Sequence, residues 1–256
     1  MKIDVSVIIV NYNTKDLLRD CINSVIEQTK NISFEIIVSD NGSSDGSIEM
    51  LKAEFPKVII LNNKENLGFG KANNRGAEIA NGKYLFLLNS DTVLLNNAIK
   101  EFYDYAEKNE KLLLGSYLYD SENNVTVSYG RFASRLTMLK RIIYVKFPFV
   151  LKFRLKAKPL TIIPIEKDID YICGADLFVE KKVFQDLKGF DENIFMYCED
   201  EDLCLRALKK NYKCRVITTP KIIHLEGKSS TISRVKRNIM LQSYKYYFLK
   251  NLIKRS

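Results

Sequence analysis

One histidine and five cysteines, none of them in a C-x-x-C spacing, leave this 256-residue chain without a zinc-site pattern. The cysteines (positions 21, 173, 198, 204 and 214) are odd in number, and most are expected as small buried hydrophobes in a reducing compartment. No apolar run approaches the roughly 18 residues of a membrane span. The N-terminal MKIDVSVIIVNYN has too short an apolar stretch, and no small-residue cleavage site, for a signal peptide, so a cytoplasmic protein is expected. G-x-G-x-x-G and Walker sequences are missing, which argues against a glycine-cradled dinucleotide or a kinase-type phosphate loop. Internal repeats and low-complexity tracts are missing too. With 46% hydrophobic residues the chain can bury a substantial core, so disorder is not expected.

Acids are absent from two long stretches. Arg131–Lys158 holds nine Lys or Arg and no Asp or Glu, and Lys228–Ser256 holds eight more, again without an acid. The net charge of +9 therefore conceals an acidic body carrying two basic segments. Nucleic acid, an anionic membrane surface or a phosphorylated substrate each fits such a distribution.

Strand and helix patterns alternate over the first ninety residues. VSVIIV (5–10), FEIIVSD (34–40), KVIIL (57–61) and YLFLLN (84–89) are apolar, β-branched or leucine-rich runs, as in parallel strands covered on both faces. Between them, helices are predicted over 15–28 with Thr14 as N-cap, over 45–55 up to Pro56, and over 70–81 up to Asn81-Gly82. This is an α/β fold with a doubly wound, mostly parallel sheet and helices on both faces. A second strand–helix set follows at 169–211, a final strand reaches Val216, and the tail from about Ser229 reads as a helix.

The most informative stretch is GFDENIFMYCEDEDLCLRAL (189–208), with Glu199, Asp200, Glu201 and Asp202 in a row. Leu203, Cys204, Ala207 and Leu208 form one apolar helix stripe behind them. Four adjacent carboxylates repel one another. A helix N-terminus offsets part of that cost, because its free N–H groups and dipole favour negative charge. For Glu199, Glu201 and Asp202 this suffices, and Asp202 has Arg206 four residues on for a surface ion pair. Asp200 shares its row with Cys204 and is aimed inward at the helix mouth, which suits chemistry better than solvation.

Ligands of open parallel sheets bind beyond the carboxyl ends of the strands. Here those ends read Asn11-Tyr12-Asn13, Asp40-Asn41-Gly42-Ser43-Ser44-Asp45-Gly46 and Asn89-Ser90-Asp91-Thr92. Each alone is ordinary turn chemistry, and Asp45-Gly46 reads best as the cap of the next helix. Three polar ends in register suggest a site. Without a glycine cradle, carboxylates with a divalent ion are the other physical means of holding a diphosphate. Gly68-Phe69-Gly70 is too short a glycine pattern to mean anything alone.

Taken in order, VSVIIVNYN (5–13), DNGSSDGS (40–47), NLGFGKANNRG (66–76), LFLLNSDT (85–92), CGADLFVEKKVF (173–184), residues 189–208 and IIHLEGKS (222–229) resemble the inverting family 2 glycosyltransferases of the GT-A fold, especially their rhamnosyltransferase-like branch. The resemblance implies a domain over 1–228, with a nucleotide-sugar half to about 112, an acceptor half to 228 containing the basic insert 131–158, and a basic C-terminal helix over 229–256. It assigns Asp40, Asn11 and Asn13 to the nucleotide, and Lys71 and Asn73 to the lining of its pocket. Asp91 would hold a divalent cation (Mg²⁺ or Mn²⁺) on the donor diphosphate, His224 would be a further metal or diphosphate contact, and Asp200 would be the general base. Asn89 stands where many members carry a first aspartate, which leaves the metal site one carboxylate short.

The implied activity is transfer of a sugar, with inversion, from dTDP-rhamnose or a UDP-hexose to a saccharide acceptor, lipid-linked, in cell-surface polysaccharide synthesis. The expected location is the inner face of the cell membrane, where the insert LKRIIYVKFPFVLKFRLKAK (139–158) is either an interfacial contact or an acceptor-side lid. A binding protein for nucleotide sugars without turnover is the alternative. A basic nucleic-acid-binding module is disfavoured, since Tyr244, Tyr246, Tyr247 and Phe248 also fit an amphipathic packing helix. A sugar-1-phosphate nucleotidyltransferase would need a glycine-rich basic loop where NYNTKDLL stands.

Overall fold

In the computed structural model, which describes residues 2–126, 128–146, 166–225 and 234–253, the expected alternation is present. The first part runs β1 (Val5–Asn11), α1 (Lys15–Gln28), β2 (Phe34–Asp40), α2 (Ser47–Glu54), β3 (Ile59–Asn62), α3 (Phe69–Ile79) and β4 (Tyr84–Asn89). There follow β5 (Thr92–Leu94), α4 (Ala98–Lys108), β6 (Leu112–Tyr119), β7 (Val125–Thr126), β8 (Tyr129–Gly130) and α5 (Arg135–Lys146). The remainder is β9 (Lys167–Ile169), β10 (Tyr171–Ile172), β11 (Asp176–Glu180), α6 (Lys181–Asp186), α7 (Glu199–Lys209), β12 (Lys213–His224) and α8 (Arg234–Tyr247), which continues as a π-helical segment, Phe248–Ile253.

One sheet, ordered β3-β2-β1-β4-β11-β6-β12-β5, runs through the chain; β1 to β4 are mutually parallel, and β11 is antiparallel to both β4 and β6. The apolar runs are central strands because both of their faces are buried, and strand periodicity divides each run between two cores. Val7, Ile9, Phe86 and Leu88 pack with α1, α2 and α4, whereas Ile8, Leu85 and Leu87 pack with α3, α6 and α7. A third, smaller core joins Ala133 and Met138 to Cys198, Leu205 and Tyr247, fastening α5 and α8 onto α7. Tyr247 is fully buried there with Tyr244 and Phe248 beside it, so these aromatics pack. The five thiols are free and four of them are buried.

Several details differ from the sequence expectation, among them β3, which is Ile59–Asn62, and α3, which ends at Ile79. β12 continues past Val216 to His224: its pairing with β6 shifts between Ile217 and Ile222, around Pro220, which has no N–H to give a ladder, and then resumes. α2 begins at Ser47 instead of Asp45. The Thr14 side chain does not cap α1; its hydroxyl meets Asn11 Oδ1 at 2.7 Å and Ser90 Oγ at 2.9 Å. Asp45 supplies the missing acceptor, taking the Lys15 N–H at 2.8 Å and the Ser47 N–H at 3.1 Å, and so ties the starts of two helices together.

Candidate active site

Parallel pairing sets Asn11 opposite Asp40, Asp40 opposite Asn62, and Asn89 opposite Val10, so the polar ends of four strands lie along one edge. Asp40 is fully buried. Its Oδ2 accepts the Asn11 amide at 2.7 Å, and its Oδ1 accepts the N–H groups of Gly42 at 3.1 Å and Ser43 at 2.9 Å. Asn11 also donates to Ser43 Oγ at 3.0 Å. Asn13, at a left-handed φ of 55°, donates its own N–H to that hydroxyl at 2.9 Å and accepts the Ser44 N–H at 2.8 Å. The three residues assigned to the nucleotide therefore stand together. Asp40 and Asn11 hold the loop from beneath, and Asn13 is exposed on it.

A second group forms where β4 turns into β5. β5 pairs with the end of β12, placing Thr92 opposite His224, and the Leu225 N–H donates to the Asp91 carbonyl at 2.8 Å. His224 Nε2 thereby lies 3.2 Å from Asp91 Oδ1 and 3.3 Å from the Asn89 amide. Among the described residues no three His, Cys, Asp or Glu side chains cluster as a metal site. The donors present are one carboxylate, one imidazole and one amide that can turn either end to a ligand. Such a donor set is chemically compatible with a hard or borderline divalent ion, which would need further oxygen ligands from elsewhere.

The four carboxylates of α7 go four ways. Glu201 is buried and accepts the Ala133 N–H at 2.8 Å and Arg141 Nη1 at 3.0 Å. Asp202 is fully buried, which corrects its reading as half of a surface ion pair; it takes Arg206 Nε at 2.8 Å, Lys250 Nζ at 2.7 Å and Asn251 Nδ2 at 2.9 Å. Arg206 in turn holds the carbonyls of Leu187 and Gly189. Glu199 is buried with Oε2 unpartnered, and burial together with the neighbouring Asp200 charge raises its carboxyl well above the usual carboxylate range. Glu201 and Asp202 are thus held by partners distant in the chain, and Glu199 is buried without one on Oε2, where a helix N-terminus alone was expected to accommodate all three.

Asp200 alone of the four keeps partial exposure. Its Oδ1 accepts the Glu201 N–H at 2.7 Å and its Oδ2 the Gly174 N–H at 3.2 Å. Burial nonetheless raises it above the ordinary range, against the lowering by those two N–H groups. Just ahead of it, Tyr197 and Cys198 have φ of 72° and 71°. Two successive L-residues in the left-handed region cost of order 1–2 kcal/mol each, and such strain gathers at functional sites. Gly174 is followed by Ala175, whose carbonyl accepts the Asn89 N–H at 3.1 Å, so one short segment links Asp200 to the Asn89–Asp91 turn.

Hydrogen bonds among the described residues do not tie Lys71 or Asn73 to either cluster. Asn73 is buried and donates to the Phe69 carbonyl at 3.1 Å, and Lys71 faces Glu192 at 3.7 Å. Their neighbour Gly68 carries more than its motif suggested. Its φ is +83°, a Cβ there would overlap the Phe195 backbone, and the Phe69 N–H donates to the Phe195 carbonyl at 3.0 Å. Ser43, Ser90 and Gly174 were also not singled out, since isolated Ser and Gly in turns carry no signal of their own. A cavity of about 460 Å³ opens at the other end of the strands, among Lys83, Glu107, Glu110 and Tyr212, away from these clusters.

Residues 6–165 match Glycosyl transferase family 2. An uncharacterized glycosyltransferase of Methanocaldococcus jannaschii is 28% identical over 96% of this chain and 78% of its own length. The N-acetylglucosaminyl-diphospho-decaprenol L-rhamnosyltransferase of Mycobacterium tuberculosis is 25% identical over 76% of this chain and 67% of its own. A glycosyltransferase of Streptococcus pneumoniae is 31% identical over 47% of the chain, which spans only 41% of that protein. With the family's motifs spread in order along an α/β sheet of the GT-A type, this chain belongs to glycosyl transferase family 2 and is a glycosyltransferase.

Proposed function

We propose that the protein transfers a sugar, with inversion, from a nucleoside-diphosphate donor (dTDP-rhamnose or a UDP-hexose) to a lipid-linked saccharide acceptor in the assembly of cell-surface polysaccharide. The carrying observation is that Asp200, alone of four adjacent acids, keeps solvent access while burial raises its affinity for a proton. A carboxylate so tuned is a better general base than a solvated one. As the acceptor oxygen bonds to the anomeric carbon, its proton passes to Asp200. The bond from that carbon to the phosphate oxygen breaks, and the nucleoside diphosphate leaves with the electron pair.

Asp40, Asn11 and Asn13 form the nucleotide end of this reading: the first two hold the loop at the β1–β2 edge from beneath, and Asn13 is exposed on it. Asp91 and His224 would hold a divalent cation, with Asn89 completing the donor set; bound there, it would offset negative charge on the leaving diphosphate. Lys71 and Asn73 bear on the pocket through α3: Asn73 steadies its first turn, and Lys71 is available to a phosphate once released from Glu192. The lipid-linked acceptor draws on the mycobacterial relative, whose name specifies a diphospho-decaprenol substrate. Incubation with a panel of nucleotide sugars, scored for nucleoside-diphosphate release with and without polyprenyl-diphosphate saccharides, tests the proposal. Donor binding without release, for every sugar and acceptor, would leave a binding protein in its place.

A further inference from the structure

The twelve residues of α5 carry four of the twelve large apolar side chains exposed among the described residues: Leu136 (63%), Leu139 (42%), Ile143 (41%) and Tyr144 (47%). The opposite face is buried through Met138 and Val145. The helix is therefore apolar on both sides, although among the described residues only one side has a protein core to face. Exposed apolar side chains scattered singly are normal; four on one helix face mark an interaction surface. Arg135, Lys140 and Lys146 are exposed on the same helix, and no acid occurs between Arg131 and Ile165.

We infer that the outer face of α5 is a docking surface for an anionic lipid bilayer, lying in the interface with Leu136, Leu139, Ile143 and Tyr144 toward the acyl boundary. This deepens, and rests on, the lipid-linked acceptor proposed above. Charge selects the occupant. A second copy of the chain would bring the same basic side chains face to face, and a nucleic acid would leave the apolar ones against phosphates. An anionic bilayer satisfies both kinds of side chain at once. No helix among the described residues is long and apolar enough to cross a membrane, so the contact is a surface one. The position of α5 serves the reaction as well. Arg141, on its inner face, and Ala133, just ahead of it, both bond Glu201, the residue after Asp200, so the docking helix is fastened beside the proposed base.

Sedimentation of the full chain with phosphatidylcholine vesicles, with and without phosphatidylglycerol, at low and high salt, tests this without donor or acceptor. The wild type should sediment with the anionic vesicles, and its partition should fall about fivefold for each basic side chain removed. The combined variant Leu136→Gln, Leu139→Gln, Ile143→Gln should lose at least about tenfold in partition, since buried apolar area adds to the electrostatic attraction. Nucleoside-diphosphate release from donor alone should be unchanged in that variant, which shows it is folded. Equal binding of the wild type to both vesicle types, binding to neither, or wild-type binding by the variant would overturn the inference. So would a concentration-dependent dimer that the variant abolishes. An inactive wild type that still sediments as described would count against the transferase reading and for this one.

Discussion

Replacing Asp200 by Asn tests the central assignment, because it exchanges a proton acceptor for a neutral group of the same shape. Removal of a general base costs about 10²–10⁴-fold in turnover, or roughly 3–5 kcal/mol of barrier. Folding should hardly suffer. The two oxygens of Asp200 accept one N–H each, from Glu201 and Gly174, and an amide can keep one of these and loses the other, a cost of about 1–2 kcal/mol. Against that, the variant no longer ionises a carboxyl that burial keeps protonated above the ordinary range. The sign follows from linkage: a carboxyl with a raised folded pKa contributes stability that is fully present below the unfolded value, about 3.9, and is lost as pH rises through the folded one. The stability of Asp200→Asn relative to wild type should therefore improve from acid to neutral pH. Wild-type kcat/KM should rise over the same window, above the pH where an ordinary aspartate titrates. Nucleoside-diphosphate release and urea unfolding across pH measure both. Should Asp200→Asn stay active while Glu199→Gln is dead, the base has been misassigned.

Asp176, fully buried in β11 with one oxygen unpartnered, is pushed up by burial to about 7. Asp176→Asn should gain on wild type by up to about 4 kcal/mol between pH 4 and 8 in urea unfolding, and a gap that does not change with pH would refute the shift. Asp91→Ala and His224→Ala should each blunt the response of turnover to Mn²⁺; full wild-type activity in excess EDTA would remove the cation from the proposal. Lys250→Met strips one partner from the buried Asp202 and should lower stability by about 2–4 kcal/mol, read as a drop in Tm with the solvated Lys245→Met as control. Gly68→Ala forces a Cβ onto the Phe195 backbone at a φ of +83°, and should lower both Tm and turnover by disturbing the loop that leads to α7.

The strands and the polar ends they carry were legible in the chain. Short apolar runs such as VSVIIV and YLFLLN, bounded by polar turn residues, fit strands covered on both sides, and parallel pairing then brings Asn11, Asp40 and Asn89 to one edge. The family motifs were legible for a related reason: each is a contiguous string whose order along the chain survives folding. The fate of the acids in α7 was not. Asp202 and Arg206 satisfy the local rule for a surface pair, and only Lys250 and Asn251, nearly fifty residues further on, turn the pair into a buried hub. Glu201 is likewise claimed by Arg141, sixty residues before it.

The sequence by itself determined the α/β class, the family and the edge of the sheet at which chemistry collects, because these follow from short-range periodicity and contiguous motifs. Tertiary structure decided which of four neighbouring carboxylates stays open to solvent, how His224 comes beside Asp91, and that Tyr197 and Cys198 are held in left-handed backbone. Each of these is settled by partners distant in the chain, whose burial energies outweigh local propensity and have no trace in any single window of residues.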